Sequence, residues 1–184
     1  LTGNGSYTDD INFKDQVYMY ILRSPFASAK IKKIDFSAAT KKEGVITILS
    51  NKIITKLKIS PMLPGFTVKN KNGKDMTITS RSILADNKVR YVGEPILAII
   101  ANTLENAEEA ADIIDIEYED LESTTNIQDA IKKNAPVVRD ELSDNFCFDW
   151  ELGELDKTTE ALNESKHKVD IELINNRLVP NPME

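Results

Sequence analysis

Residues 89–121 decide the fold of this chain, and they have the sequence VRYVGEPILAIIANTLENAEEAADIIDIEYEDL. Within this stretch, Ile96 to Ala101 is an uninterrupted apolar run that follows Gly93 and Pro95. A run this short, bounded by glycine and proline, is typical of a strand that is buried on both faces. We therefore expect Ile96 to Ala101 to lie at the centre of the hydrophobic core.

The segment after this strand changes period twice. Asn102 precedes Glu105 by three residues, a capping-box arrangement that predicts the start of a helix. The apolar residues then recur at helical spacing and the carboxylates face away, which predicts an amphipathic surface helix. The apolar set comprises Leu104, Ala107, Ala111 and Ile114. The acidic set comprises Glu105, Glu108, Glu109 and Asp112.

From Ile114 onward the pattern is that of a strand with one buried and one solvated face. Ile114, Ile116 and Tyr118 alternate with acidic residues as far as Leu121. Strand, helix and strand with short joints predict a β-α-β unit. If its two strands are parallel in one sheet, the crossover should be right-handed.

Composition limits the class of protein. The 184 residues are 41% hydrophobic and 29% charged, which is ordinary for a globular protein, and the net charge of −7 argues against general nucleic-acid binding. No apolar run is long enough to span a membrane, and the N-terminus lacks the layout of a signal peptide. Because the chain begins at Leu1, we expect an internal segment or a processed form.

Further strands are predicted before residue 89. Val17 to Leu22 and Val45 to Leu49 are rich in β-branched residues, and Gly44 marks the start of the latter. Ala29 to Phe36 needs a bulge at Lys32-Lys33 to place Ile34 and Phe36 on one face. Asn72-Gly73 lies between two β-type runs, which predicts a hairpin.

After Leu121 the composition becomes polar, which marks the exit from a first domain. We predict short helices over residues 127–133 and 157–163, a brief strand at Val137-Val138, and an alternating strand from Lys168 to Leu173. The chain then stops at Glu184 before this second unit has a core, so we expect it to be cut off.

No residue of this chain is predicted to be catalytic, cofactor-binding or metal-binding. His167 is the only histidine and is interpreted as an exposed polar residue, and Cys147, between two phenylalanines, as a small buried hydrophobe. Glu94 is expected to be partly buried, with its charge satisfied by Arg90 or by backbone donors. Gly3-Asn4-Gly5 lacks the context of a phosphate-binding loop and is interpreted as a turn.

The carboxylates around the predicted helix and last strand are interpreted as a solvated face. They could in principle collect a hard cation, but helix-to-strand geometry scatters them and no calcium-loop spacing is present. The set comprises Asp112, Asp115, Glu117, Glu119 and Asp120.

Several ordered stretches resemble the large, molybdenum-binding subunit of the xanthine dehydrogenase and aldehyde oxidase family. Residues 2–11 resemble its opening motif, and residues 23–31 its next one, where the family usually has a histidine at Phe26 and often another at Ser28. Residues 90–95 are the most specific match. Residues 145–153 and 176–184 resemble the bacterial branch of aerobic carbon monoxide dehydrogenases, although Glu154 stands where an aspartate is usual.

The resemblance implies an α+β fold: an α/β-hammerhead domain over residues 1–122, a linker over 123–145, and the truncated start of a molybdopterin-binding domain over 146–184. It also implies a cytoplasmic oxidoreductase that uses molybdopterin, with FAD on a medium subunit and 2Fe-2S clusters on a small subunit as partners of the rest of the large subunit. The segment itself would be structural and inactive alone. The alternative is a non-catalytic, stand-alone interaction module.

Overall fold

A computed structural model describes residues 3–175 of the chain. The contacts between residues divide it into two compact units. One contains residues 14–149, and the other contains residues 3–13 together with 150–175 among those described.

The first sheet of the 14–149 unit is three-stranded and antiparallel, with order β1-β5-β3. Its strands are β1 (Tyr18–Arg23), β3 (Val45–Leu49) and β5 (Pro95–Ala101). The central strand β5 carries the apolar run, and Ile96, Leu97 and Ile99 are fully buried. The prediction of a strand buried on both faces is confirmed, because a run without polar residues is stable only where both faces are covered.

The second sheet has order β4-β2-β6 and is also antiparallel. It consists of β2 (Ala29–Asp35), β4 (Lys88–Val89) and β6 (Asp115–Asp120). Ile31 pairs with Tyr118 and Lys33 with the adjacent Glu117, so Lys32 is the extra residue of a bulge. The predicted bulge at Lys32-Lys33 is therefore confirmed.

The predicted β-α-β unit is wrong in one respect. Its two strands, β5 and β6, lie in different sheets, so no parallel crossover joins them. Both instead pair with strands from the N-terminal part of the chain: β5 pairs with β1 and β3, and β6 pairs with β2. Helices and antiparallel sheets of this kind make an α+β fold, as expected.

The helix α2 (Leu104–Asp112) contacts β1, β3 and β5. Its cap is Thr103, whose side chain accepts a hydrogen bond from the Asn106 backbone, and not Asn102 as predicted. Small residues let the helix lie close to the sheet, whereas Leu104 is 46% exposed and does not belong to the buried stripe. The buried positions are Ala107, Ala110 and Ala111.

Three further α-helices lie among residues 3–175. They are α1 (Asn51–Lys56), α3 (Ile127–Ala130) and α4 (Leu155–Glu164), with 3₁₀ turns at Thr8–Asp10 and Ala39–Lys41. The helix α1 was not predicted, because its lysines obscure any period. The helix α3 ends before the predicted residue 133, and α4 confirms the helix predicted over residues 157–163.

The Asn72-Gly73 pair forms a turn but not the predicted hairpin of two strands. Gly73 has φ +80°, as such a turn requires, and one isolated bridge joins Lys69 to Asp75. The ladder does not extend beyond this bridge because the Thr77 N–H, which the next pair would use, donates to the Cys147 carbonyl oxygen at 2.8 Å.

Two other predicted strands do not form among the described residues. Val137-Val138 and the segment Lys168 to Leu173 have no strand ladder. A strand needs a neighbouring backbone to satisfy its N–H and C=O groups, and sequence alternation alone does not supply one. No helix among residues 3–175 is long and apolar enough to cross a membrane.

Candidate functional site

Two loops that resemble family motifs meet in the 14–149 unit. The Ser24 N–H donates to the Glu94 carbonyl oxygen at 2.9 Å, and the Gly93 N–H donates to the Ser24 carbonyl oxygen at 2.8 Å. The Arg23 guanidinium donates to the Gly93 carbonyl oxygen at 3.0 Å. The resembling stretches 23–31 and 90–95 are thus joined by reciprocal hydrogen bonds, and we name this contact the loop junction.

Buried polar side chains stabilise the loop junction. The Glu94 side chain is only 5% exposed, and its Oε2 accepts a hydrogen bond from the Arg90 backbone N–H. The expectation for Glu94 is confirmed, with the backbone of Arg90 as the donor. Ser24 is also buried, and its hydroxyl both donates to the Phe26 carbonyl oxygen at 2.9 Å and accepts from the Phe26 N–H at 3.0 Å.

A cavity of about 340 Å³ opens beside the loop junction. Three segments line it: the loop at residues 27–28, the loop at 90–92, and the segment that follows β6. We name residues 122–145 the polar connector; its residues 122–125 and 136–138 line the cavity. Apart from the Arg90 guanidinium and the Glu122 carboxylate, the lining offers small hydroxyls and apolar side chains. Such a surface can accept apolar contacts and a few hydrogen bonds.

An ion pair attaches the polar connector to the second sheet. The Lys88 Nζ lies 2.6 Å from Asp140 Oδ1, and this hydrogen bond from Lys88 lowers the pKa of the Asp140 carboxyl. Lys88 is buried, and its carbonyl oxygen accepts from the Arg90 guanidinium at 3.1 Å. Sequence reasoning singled out neither Lys88 nor Ser24, because nothing local distinguishes a buried lysine or serine from an exposed one.

The interpretation of Cys147 as a buried residue is wrong. The side chain is exposed, and its Sγ donates to the Thr77 carbonyl oxygen at 3.3 Å. The neighbouring Phe146 and Phe148 are exposed as well, so the aromatic pair does not enclose the cysteine. His167 is exposed, as expected.

The acidic face predicted around α2 and β6 is solvated. Glu119 forms ion pairs with Lys30 and Lys32 across the sheet, and the hydrogen bond from Lys32 is the main cause that lowers the pKa of Glu119. Within residues 3–175, no three His, Cys, Asp or Glu side chains are grouped so as to hold a metal ion.

Two further stretches were considered from the sequence. Gly3 has φ +72°, which fits the predicted turn. The stretch 176–184, which resembles a family motif, lies outside the described residues.

The fold, with its helix and paired antiparallel sheets, is an α/β-hammerhead domain. Residues 2–122 match the family described as aldehyde oxidase and xanthine dehydrogenase, a/b hammerhead domain. The chain therefore belongs to the aldehyde oxidase and xanthine dehydrogenase family.

Two of the relatives are large subunits of bacterial oxidoreductases. The chain is 32% identical to the nicotine 6-hydroxylase large subunit of Paenarthrobacter nicotinovorans, a match that covers 100% of the chain and 22% of the relative. It is 28% identical to the carbon monoxide dehydrogenase large chain of Hydrogenophaga pseudoflava, covering 100% of the chain and 23% of the relative. The chain thus spans less than a quarter of the length of these curated relatives.

A solved structure shares the fold. The quinoline 2-oxidoreductase of Pseudomonas putida 86 superimposes with a TM-score of 0.67 at 31% identity, over 78% of this chain and 17% of that one. Both the sequence and the fold therefore match one stretch of a much longer oxidoreductase subunit.

Proposed function

We propose that this chain is the N-terminal part of the large, molybdopterin-binding subunit of a molybdenum hydroxylase, with a structural and subunit-docking role. One observation carries the proposal: the whole chain aligns with large subunits of which it covers only 22% and 23%. The relatives are named for nicotine, carbon monoxide and quinoline. We accordingly assign the reaction class and not one substrate.

The division of the chain follows the same argument. The hammerhead domain takes residues 1–122, the linker residues 123–145, and the first elements of the molybdopterin-binding domain residues 146–184. The family match that ends at residue 122 supports the first boundary. The Leu121 N–H donates to the Ser28 carbonyl oxygen at 3.0 Å, which attaches the end of the proposed domain to its own second sheet.

We place the molybdopterin in the remainder of the large subunit. A phosphate-bearing cofactor needs several converging donors or cations. The cavity at the loop junction does not fit this requirement: Arg90 is the only cation in its lining, and the Arg90 guanidinium already donates to the Lys88 carbonyl oxygen. The segment alone is therefore proposed to be inactive, with no catalytic, cofactor or metal residue of its own.

The partners in this proposal are the rest of the large subunit, a medium subunit that binds FAD, and a small subunit with 2Fe-2S clusters, all in the cytoplasm. The names of the relatives support it, because nicotine 6-hydroxylase and carbon monoxide dehydrogenase are both described as having a large subunit or large chain.

Molybdenum analysis of the native complex tests the proposal. A tag on the N-terminus retrieves the complex from its host, and elemental analysis gives its metal content. We expect about one molybdenum per chain, as the large subunit binds a single molybdenum centre in this proposal, with iron and flavin co-purifying. A product that ends near residue 184 and lacks molybdenum would overturn the proposal in favour of the stand-alone interaction module. The residues 14–149, which have their own buried core, make that module the competing outcome.

A further inference from the structure

Residues 168–173 have the pattern of a strand but pair with no strand among the described residues. Successive side chains of an extended chain lie on opposite faces. One face of this segment is therefore wholly apolar and the other wholly charged. The apolar face comprises Val169, Ile171 and Leu173, and the charged face Lys168, Asp170 and Glu172.

The apolar face is uncovered. Val169, Ile171 and Leu173 are 83%, 73% and 84% exposed. Single exposed apolar residues are common on protein surfaces, but three on one face of one extended segment are the pattern of an interaction site. The six residues also have the usual length of a strand in a globular protein.

The preceding helix is uncovered in the same way. Leu155 and Leu162 of α4 are seven residues apart, which places them on one face of the helix. Both are more than half exposed, and α4 has no buried residue. A helix and the extended segment that follows it therefore both lack the core against which an amphipathic element packs.

The relatives indicate what supplies this core. The chain aligns over its full length with subunits of which it is 22% and 23%, so most of the relatives' polypeptide lies outside it. We infer that residues 168–173 add as a strand to a sheet formed by the remainder of the same large subunit, with Val169, Ile171 and Leu173 facing its core. This inference rests on the proposed function.

Hydrogen exchange on the intact complex tests the inference directly. The complex is purified through an N-terminal tag, and the exchange rates of the amides of residues 169–173 are compared with those of an unstructured peptide of the same sequence. A paired strand should slow their exchange by about 100-fold or more. Exchange at the rate of the free peptide, in a complex that contains molybdenum, would refute the inference that residues 168–173 form a paired strand. It would leave the proposed function unaffected.

Two matched variants test which face is buried. Ile171→Lys places a charge on the apolar face, and Asp170→Lys places the same charge on the opposite face. We expect Ile171→Lys to lower the yield of assembled complex by roughly tenfold, since a lysine cannot be buried unpaired, and Asp170→Lys to change it by less than about twofold. Equal losses from both variants would refute the assigned faces. Protection that appears only on dimerisation of a product ending near residue 184 would assign the strand to a second copy and overturn both this inference and the proposed function.

Discussion

Lys88 and Asp140 form an ion pair in which only one partner is buried. The Lys88 Nζ lies 2.6 Å from Asp140 Oδ1, and the side chains are 9% and 71% exposed. The pair joins the edge strand β4 to the polar connector, 52 residues later in the chain. Lys88 is desolvated whether or not Asp140 is present, so the carboxylate matters chiefly because it offsets that burial.

We therefore predict that Asp140→Asn destabilises the protein by about 1 kcal/mol at pH 7, a value reduced from that of a fully buried pair because Asp140 is exposed to water. The pKa of Asp140 is lowered in the folded state. Its contribution is then complete above the unfolded pKa of about 3.9 and is lost as the pH falls through the folded pKa. Urea unfolding between pH 7 and pH 3 measures this: the difference between wild type and variant should shrink on acidification. Asp140→Asn in a Lys88→Met background is the control and should have little effect.

Glu94 provides a second prediction, because its carboxylate satisfies a backbone donor at the loop junction. Glu94→Leu leaves the Arg90 N–H without this acceptor and should cost about 1–3 kcal/mol. Glu94→Gln keeps an oxygen at the same position and should cost clearly less. Urea unfolding of both variants checks the order, and equal losses would show that the Arg90 hydrogen bond is not the source of stability.

Gly44 is predicted to resist substitution for two separable reasons. It has φ +81°, and an added Cβ would lie 2.1 Å from Nδ2 and 2.7 Å from Cγ of Asn106 on α2. Gly73 has a similar φ of +80°, but no atom lies within 4 Å of a Cβ added there. Gly73→Ala therefore measures only the cost of placing alanine at a positive φ, about 1 kcal/mol.

We expect Gly44→Ala to be more destabilising than Gly73→Ala, and Asn106→Ala to relieve part of the excess when the two changes are combined. A double-mutant cycle by thermal unfolding measures this coupling. Additive effects of Gly44→Ala and Asn106→Ala would contradict the predicted contact.

The cap of α2 gives a fourth prediction. Thr103 Oγ1 accepts from the Asn106 N–H at 3.1 Å, so Thr103→Ala should cost about 1 kcal/mol. Asn102, the cap expected from the sequence pattern, should tolerate alanine with a loss below about 0.5 kcal/mol. Stability measurements on this pair of variants compare neighbouring residues directly. A larger loss of stability from Asn102→Ala than from Thr103→Ala would show that Asn102 is the cap after all.

Local patterns in the sequence predicted several elements correctly. The apolar run of β5, the bulge at Lys32-Lys33 and the turn at Asn72-Gly73 follow from the period of the side chains or from the φ values that particular residues adopt. Burial of Glu94 also followed locally, since a carboxylate between glycine and proline at a strand entrance has backbone donors nearby.

The candidate site was only partly predictable. Residues 23–31 and 90–95 were each recognised by their resemblance to family motifs, but nothing in either stretch indicated that they touch. The Arg23 guanidinium and the Gly93 carbonyl oxygen that join them are 70 residues apart in the chain. The burial of Lys88 and the exposure of Cys147 were missed for the same reason, because each is decided by distant segments.

The sequence by itself determined the segments that form β1, β2, β3, β5, β6, α2 and α4, where the core strand lies, and to which family the chain belongs. Only the tertiary structure decided that β5 and β6 lie in different sheets, that Thr103 caps α2, and that two motif loops form one junction. The physical reason is that a side-chain period is a property of a few consecutive residues. The choice of strand neighbour and hydrogen-bond partner instead depends on which distant surfaces pack best once the whole chain has folded.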